Sequence, residues 1–376
     1  MKKVKVLHLV EDLKIGGLER VIADIAQGLD KKKFEVGVWC VARGGEVATE
    51  LEEKGIEVEI LGIFNCYNPC RIVRIAWLLK KSKADIVHTH GYFASVIGRT
   101  AAKIAGVPIL IHHMHSTYWE YRKRHIFFER FLSLLTQKVV CCSKAVENFV
   151  TGHLKVNPSK TIVVYNGVDE EEFISTKDKS ALKTRLGIQS TDLVVGTVSS
   201  LYHHKGHQYL LQAVPLVLAA FPSTKFLIVG DGPLRKKLED QAKDLNIAAH
   251  LIFTGRRKDI PDLLSAMDIF VLPSCSREGL GISIIEAMAS EKPVVATEIG
   301  GIPELVANEE TGYLVPPQNP YALAKAIVDL LKSPQRAKEM GRRGRTRFEE
   351  KFTKRKMLSE VEYLYLSLMK QRKQSG

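Results

Sequence analysis

The stretch from Leu272 to Ala289, LPSCSREGLGISIIEAMA, constrains the fold more than any other part of the chain. Ile269, Phe270, Val271 and Leu272 read as a buried strand, Pro273 to Gly281 as a turn, and Ile282 to Ala289 as a short apolar helix. A strand feeding a helix through a glycine-bearing turn is an α/β unit that can hold an anion. Gly279 and Gly281 let a ligand approach the backbone, and the N–H groups and positive dipole end of the helix favour negative charge there. Two carboxylates, Glu278 and Glu286, frame the same turn. Ionised carboxylates only accept hydrogen bonds, so beside a phosphate they suit neutral hydroxyls, and together they describe a polyhydroxylated ligand attached to a phosphate. A sugar nucleotide fits that description.

The pattern recurs along the whole chain. Strand-like runs at Val4–Val10, Glu35–Val41, Val58–Leu61, Ile86–His88, Ile109–His112, Lys138–Cys142 and Thr161–Val164 alternate with helical ones, which predicts a doubly wound parallel sheet. A polar segment from Asn166 to Ser180 interrupts the alternation. Strands at Leu193–Val198, Lys225–Val229, Leu251–Thr254, Ile269–Leu272, Val294–Ala296 and Gly312–Val315 then build a second sheet, and a single helical tail is predicted over 336–373. The predicted architecture is α/β, with two Rossmann-like doubly wound domains facing across a cleft. Domain boundaries fall at 1–170 and 171–350, and a last helix over 351–376 is expected to cross back to the first domain.

Composition narrows the function classes. The 376 residues carry a formal charge of +13, which suits an anionic partner. No recognition-helix, zinc-finger or RNP-type pattern supports nucleic acid. The six cysteines form no C-x-x-C pair, so reduced thiols and no zinc site are expected. Glu11, Asp12 and Lys14 follow the first apolar run too soon for a secretory signal, and no stretch is long and apolar enough to span a bilayer, so with the scattered thiols a cytoplasmic location is expected. Basic clusters such as Arg122-Lys123-Arg124, interleaved with Tyr118, Trp119, Tyr121, Phe127, Phe128 and Phe131, make an anionic membrane surface a further expected partner, with the protein peripheral on the inner face.

Candidate chemistry lies at the ends of predicted strands. Gly16-Gly17 follows the first strand as a tight turn open to a diphosphate or an acceptor. It does not match G-x-G-x-x-G, and neither do Gly230-Asp231-Gly232 and Gly279-Leu280-Gly281, so a nicotinamide enzyme is disfavoured. Lys205, after the Leu193–Val198 strand, is a counter-charge for a diphosphate, and such a pair at ~4 Å interacts by roughly 4 kcal/mol before desolvation at an effective dielectric near 20. His113 and His115 should face one way at the end of the fifth strand and His112 the other, offering a hydrogen-bonding or acid/base group; His88 and His90 repeat the spacing as weaker candidates. No D-x-D pair is present to hold a divalent ion, so neither a metal nor a cofactor is expected.

Gly16-Gly17-Leu18-Glu19, Lys205-Gly206, Gly230-Asp231-Gly232-Pro233-Leu234, Phe253-Thr254-Gly255, Glu278-Gly279-Leu280-Gly281 with Glu286-Ala287-Met288-Ala289, Gly300-Gly301-Ile302-Pro303-Glu304 and Thr311-Gly312-Tyr313-Leu314-Val315 occur in that order. Taken together they resemble glycosyltransferase family 4, retaining enzymes of the GT-B fold. The resemblance implies that Glu286 binds ribose hydroxyls, Glu278 the donor sugar, and the backbone of Gly279, Leu280, Gly281 and Ile282 the diphosphate and sugar. It further implies that Lys205 neutralises the leaving phosphate, that His115 sits by the reacting sugar, and that Arg256 or Lys258 borders the base. Many members carry an arginine five residues before that lysine, where this chain has Ser200. The expected activity is transfer of a hexose from a UDP- or GDP-linked donor to a glycan or lipid-linked acceptor, with retention and without a metal. A sugar-nucleotide epimerase on the same plan and a non-catalytic partner subunit are the alternatives.

Overall fold

Parallel strands that are covered by helices on both faces read as continuous apolar runs, and the described residues form thirteen parallel strands in two separate sheets, most of them runs of this kind. The computed structural model describes residues 2–118, 120–174 and 178–375. It divides into two compact units, one of residues 1–166 with 354–376 and one of residues 167–353.

In the first unit the order is β1 (Val4–Val10), α1 (Gly17–Gly28), β2 (Phe34–Cys40), α2 (Glu46–Glu53), β3 (Glu57–Ile60), α3 (Pro69–Ser82), β4 (Ile86–His90), α4 (Tyr92–Ala105), β5 (Ile109–Met114), α5 (Lys123–Leu135), β6 (Lys138–Cys141), α6 (Lys144–Gly152) and β7 (Thr161–Val163). The strands lie in the order β3-β2-β1-β4-β5-β6-β7, all parallel, so the winding direction reverses between β1 and β4. Local chemistry sets the helix ends. Asn68 accepts the N–H groups of Cys70 and Arg71 in front of Pro69, and Ser143 accepts from Val146. Two apolar cores flank the sheet, one built on Leu7, Leu9, Ile75 and Ile97 and the other on Val10, Ile22, Val38 and Leu51.

The second unit follows as α7 (Lys179–Arg185), β8 (Val194–Val198), α8 (His207–Ala220), β9 (Lys225–Val229), α9 (Arg235–Asp244), β10 (Leu251–Gly255), α10 (Ile260–Ala266), β11 (Ile269–Leu272), α11 (Ile282–Ala289), β12 (Val294–Thr297), α12 (Ile302–Leu305), β13 (Gly312–Val315), α13 (Pro320–Lys332) and α14 (Pro334–Lys351). Its sheet runs β10-β9-β8-β11-β12-β13, again parallel, with the reversal between β8 and β11. Helix α7 was not anticipated: Asp178 caps it through Ser180 and Ala181, a start hidden within a polar segment.

The C-terminal tail is two helices where the sequence reading has one. Helix α14 ends at Lys351; the carbonyl of the next residue, Phe352, accepts the N–H of Val168 at 3.1 Å instead of continuing the helical ladder, and α15 (Lys354–Ser375) begins two residues later. Helix α15 packs within the first unit. An added Cβ on Gly28 of α1 would come 2.3 Å from Leu358, so the missing side chain sets how closely the two helices pass. Lys354 pairs with Asp24 at 2.9 Å, and Glu362 accepts the Asp30 N–H at 2.8 Å.

Candidate active site

In the second unit the candidate residues converge where the sheet reverses. The loops leaving β8 and β11 cross in close contact. Gly206 has φ 70° and its missing Cβ would stand 1.9 Å from the Pro273 carbonyl oxygen, so only glycine fits. The Cys275 N–H donates to the His204 carbonyl at 2.8 Å, tying the same loops together. The crossing brings Lys205 to Glu278, with Nζ 2.8 Å from Oε2, and the buried Ser274 hydroxyl donates to that oxygen at 2.7 Å. Glu278 is itself buried and Lys205 is mostly so. Arg277, just before it, holds a left-handed φ of 60°, the kind of backbone strain that persists where its surroundings enforce it.

Beyond Glu278 the chain passes Gly279 and Leu280 and reaches Gly281, whose φ of 95° turns it into α11 without a side chain to cap the helix. Of the first N–H groups of α11, that of Ile284 donates to the Gly281 carbonyl at 2.9 Å, while those of Ile282 and Ser283 precede the first full helical turn. Glu286 lies one turn inside this helix and is partly buried. Gly300 packs so closely on the Glu278 backbone that a Cβ would come 1.8 Å from its carbonyl oxygen. Arg256 and Lys258 are not brought into this group. They are exposed after β10, the edge strand, which β9 separates from β8. Ser200, in the loop after β8, is exposed.

Gly16, Gly17 and His115 belong to the first unit. Gly16 is extended, and its lack of a side chain leaves room for the Glu19 carboxylate, which would lie 2.2 Å from an added Cβ. Burial pushes the Glu19 carboxyl up to about 7, with Asp12 and Glu11 adding to the rise. His115 follows β5, and its ring stacks on that of His113 with centroids 3.8 Å apart. His112 faces the opposite side of the sheet, bonded to Thr89 and close to the buried Arg99–Glu129 pair.

The weaker candidates His88 and His90 prove to be neighbours of His115. His90 Nδ1 lies 3.0 Å from His115 Nε2, and its own Nε2 lies 2.9 Å from Nδ1 of His8, on β1. His88 Nδ1 is 2.7 Å from the hydroxyl of Tyr365 on α15. His8 and Tyr365 were not singled out in the sequence. The register explains the grouping, because His8 pairs with His88 across β1 and β4, and His90 with His113 across β4 and β5. With the strand order in hand, parity along the strands would have placed all five imidazoles on one face. The expectation of no metal site came from spacing along the chain, and such spacing does not register groups assembled from three strands. Burial lowers these imidazoles, His8 to about 3 and His88, His90, His113 and His115 well below the usual histidine value.

Two halves of the chain match family descriptions. Residues 15–172 match "Glycosyltransferase Family 4" and residues 178–347 match "Glycosyl transferases group 1". A UDP-Gal:alpha-D-GlcNAc-diphosphoundecaprenol alpha-1,3-galactosyltransferase of Escherichia coli is 31% identical over 329 residues, covering 83% of this chain and 84% of that one. The chain belongs to glycosyltransferase family 4. A GDP-mannose-dependent alpha-(1-6)-phosphatidylinositol monomannoside mannosyltransferase of Mycolicibacterium smegmatis is 37% identical over 188 residues, 48% of this chain and 49% of that one. Among solved structures, HepE of Anabaena in complex with UDP and glucose superposes on the glycosyltransferase with a TM-score of 0.87 at 26% identity, covering 97% of this chain and 100% of that one. Both units have the Rossmann-like plan of the GT-B fold, as the sequence reading expected. Among the described residues no helix is long and apolar enough to cross a membrane.

Proposed function

We propose that this glycosyltransferase moves a hexose from a UDP- or GDP-linked donor to an acceptor hydroxyl, with retention of anomeric configuration. The observation that carries this reading is the Lys205–Glu278 pair beside the glycine entry to α11, at the reversal point of the second sheet. In an open α/β sheet that point is where nucleotides bind. In this reading the diphosphate docks on the N–H groups of α11 and draws Lys205 away from Glu278. Glu278, held by Ser274, turns to the sugar hydroxyls, and Glu286 takes the ribose. Lys205 and the helix end then stabilise the charge that develops on the leaving phosphate, so that no divalent ion is needed there. His115 contacts the reacting sugar, and the departing diphosphate takes the acceptor proton. Gly16 and Gly17 contribute backbone N–H groups to donor or acceptor, and Arg256 or Lys258 borders the base.

The acceptor class is a lipid-linked or cell-surface glycan precursor, a reading supported by the diphosphoundecaprenol and phosphatidylinositol named for the two relatives. The exposed side chains of Trp77 on α3 and Phe127, Phe131 and Leu134 on α5, with Lys81 3.7 Å above the Trp77 ring, support peripheral docking on an anionic membrane. Trp119, grouped with these aromatics from the sequence, lies outside the described residues.

The reading is tested by incubating the protein with UDP- and GDP-hexoses and polyprenyl-diphosphate acceptors in the presence of a chelator. Anomeric configuration is read by NMR. An α-linked product from an α-linked donor is expected; an inverted product, or activity abolished by the chelator and restored by Mg²⁺, overturns the mechanism. An isomerised sugar nucleotide formed without acceptor would identify an epimerase. Donor binding with no transfer to any acceptor would favour the non-catalytic reading that Ser200 motivates.

A further inference from the structure

Glycosyl transfer as proposed uses one histidine of the first unit and leaves four others, His8, His88, His90 and His113, unexplained. Each is at most 1% exposed. Between them His8 Nε2, His88 Nε2 and both ring nitrogens of His113 have no hydrogen-bond partner among the described residues. A buried polar atom left unpaired costs about 1–3 kcal/mol, so several in one cluster require a partner that the protein side chains do not supply. A neutral imidazole carries the lone pair that binds a metal.

The geometry offers such a partner to His88 Nε2. One ring nitrogen from each of His8, His88 and His90 lies within 4.8 Å of the others. Two nitrogens bound at about 2.0–2.1 Å to one tetrahedral ion stand roughly 3.3 Å apart. The 2.9 Å between His8 Nδ1 and His90 Nε2 is close enough for a small adjustment to exchange a hydrogen bond for two metal bonds. His88 offers Nε2, because the Tyr365 hydroxyl occupies its Nδ1, and an outer partner of this kind orients a ligating imidazole. His113, with ring centroids 5.5 Å from those of His88 and His90 and neither nitrogen paired, stands next to the triad for a fourth position.

We propose that the first unit binds one transition-metal ion of the zinc class on His8, His88 and His90. An all-imidazole set selects Zn²⁺, Co²⁺, Ni²⁺ or Cu²⁺ over Mg²⁺ and Ca²⁺, which prefer oxygen. The ion bridges β1 and β4, and through Tyr365 it fastens α15 to the sheet. It also fixes a proton. With His90 Nε2 on the metal, its Nδ1–H donates to His115 Nε2 and sets the tautomer of His115. The ion uses none of the groups assigned to the donor diphosphate, so metal binding itself is measured independently of the donor reading.

The test uses the full-length protein, stripped with chelator and dialysed, then titrated with Zn²⁺ by calorimetry and with Co²⁺ by visible absorption. One equivalent of Zn²⁺ is expected, with a rise in Tm and the intense visible bands of four-coordinate Co²⁺. H88Q should weaken binding at least 100-fold and Y365F about tenfold, whereas H125A, which alters a more exposed histidine on α5, should bind as the wild type does. Sub-stoichiometric binding, binding unchanged in H88Q, or only the weak spectrum of six-coordinate Co²⁺ would overturn the proposal. Should H88Q fail to fold, the wild-type Co²⁺ spectrum and the Y365F titration decide the matter.

Discussion

The two units are built on one plan and use it for opposite electrostatics. In each, parallel strands reverse their winding at a central pair, β1 and β4 in the first unit, β8 and β11 in the second. At that point the second unit places a lysine–glutamate pair and a glycine-entered helix, the groups that the proposed function assigns to the donor. The first unit places five imidazoles there, stripped of charge by burial. The difference teaches that the shared topology fixes where a site lies, while the side chains on two or three strand ends decide what it can bind. Four of those imidazoles come from strands that are also core, so the polar group and the packing of the first unit are inseparable.

The comparison breaks most readily at the buried charges of the first unit. Glu129 and Arg99 are almost fully buried and pair with one another, and E129A would leave the guanidinium uncompensated. A loss of about 3–5 kcal/mol is expected. No tryptophan falls within residues 167–353 of the sequence, and Trp39 and Trp77 lie in the first unit, so tryptophan fluorescence in denaturant reports the unfolding of that unit, and the midpoint should fall sharply.

K205A tests the opposite unit and should leave that fluorescence transition unchanged. Removing a preorganised cation from a developing phosphate charge should lower kcat by about 10²–10³-fold, or roughly 3–4 kcal/mol, with a smaller change in KM. A change confined to KM would place Lys205 in ground-state binding only.

Acid sharpens the contrast. Burial holds His8 at about 3 and His88, His90, His112, His113 and His115 well below 6.5, whereas the unfolded chain protonates these rings near 6.5. Between those values the unfolded state binds more protons, so the first unit keeps its full stability above about pH 6.5 and loses it as pH falls. In the second unit His207 is lowered to about 3 in the same way. Scanning calorimetry in chelator between about pH 7 and pH 5 should therefore show the first unit, tracked by fluorescence, melting progressively before the second. Glu19 gives the smallest effect and the opposite sign. Its carboxyl is raised from 4.5 to about 7, so the folded state retains a proton that the unfolded state has released, and stability falls as pH rises through that interval. E19Q should flatten the slope there and leave the acid side unchanged.

Much of the second unit was legible in the sequence because its motif is local. Glu278, Gly279, Gly281 and Glu286 fall within nine residues, and strand, turn and helix can be read directly around them. Lys205 needed only the strand before it. The link between Lys205 and Glu278 was not legible, because it depends on the glycine contact between Gly206 and Pro273. The histidine group was half legible. His113 and His115 share a face by parity, but His8 joins them only through the β1–β4 pairing, a contact between residues 80 apart in sequence. Tyr365 reaches His88 from the opposite end of the chain, on a tail whose break at Phe352 answers to the Val168 N–H rather than to any helix-breaking residue.

The most direct measurement of the central claim is donor binding to the wild-type protein and to E278Q, by calorimetry against UDP, GDP and their hexose conjugates with chelator present. One nucleotide base should be preferred, and the hexose should add affinity in the wild type. E278Q should lose this sugar increment while still binding the free diphosphate. Equal loss of diphosphate and sugar-nucleotide binding in E278Q, or no binding of any conjugate to the wild type, would contradict that claim.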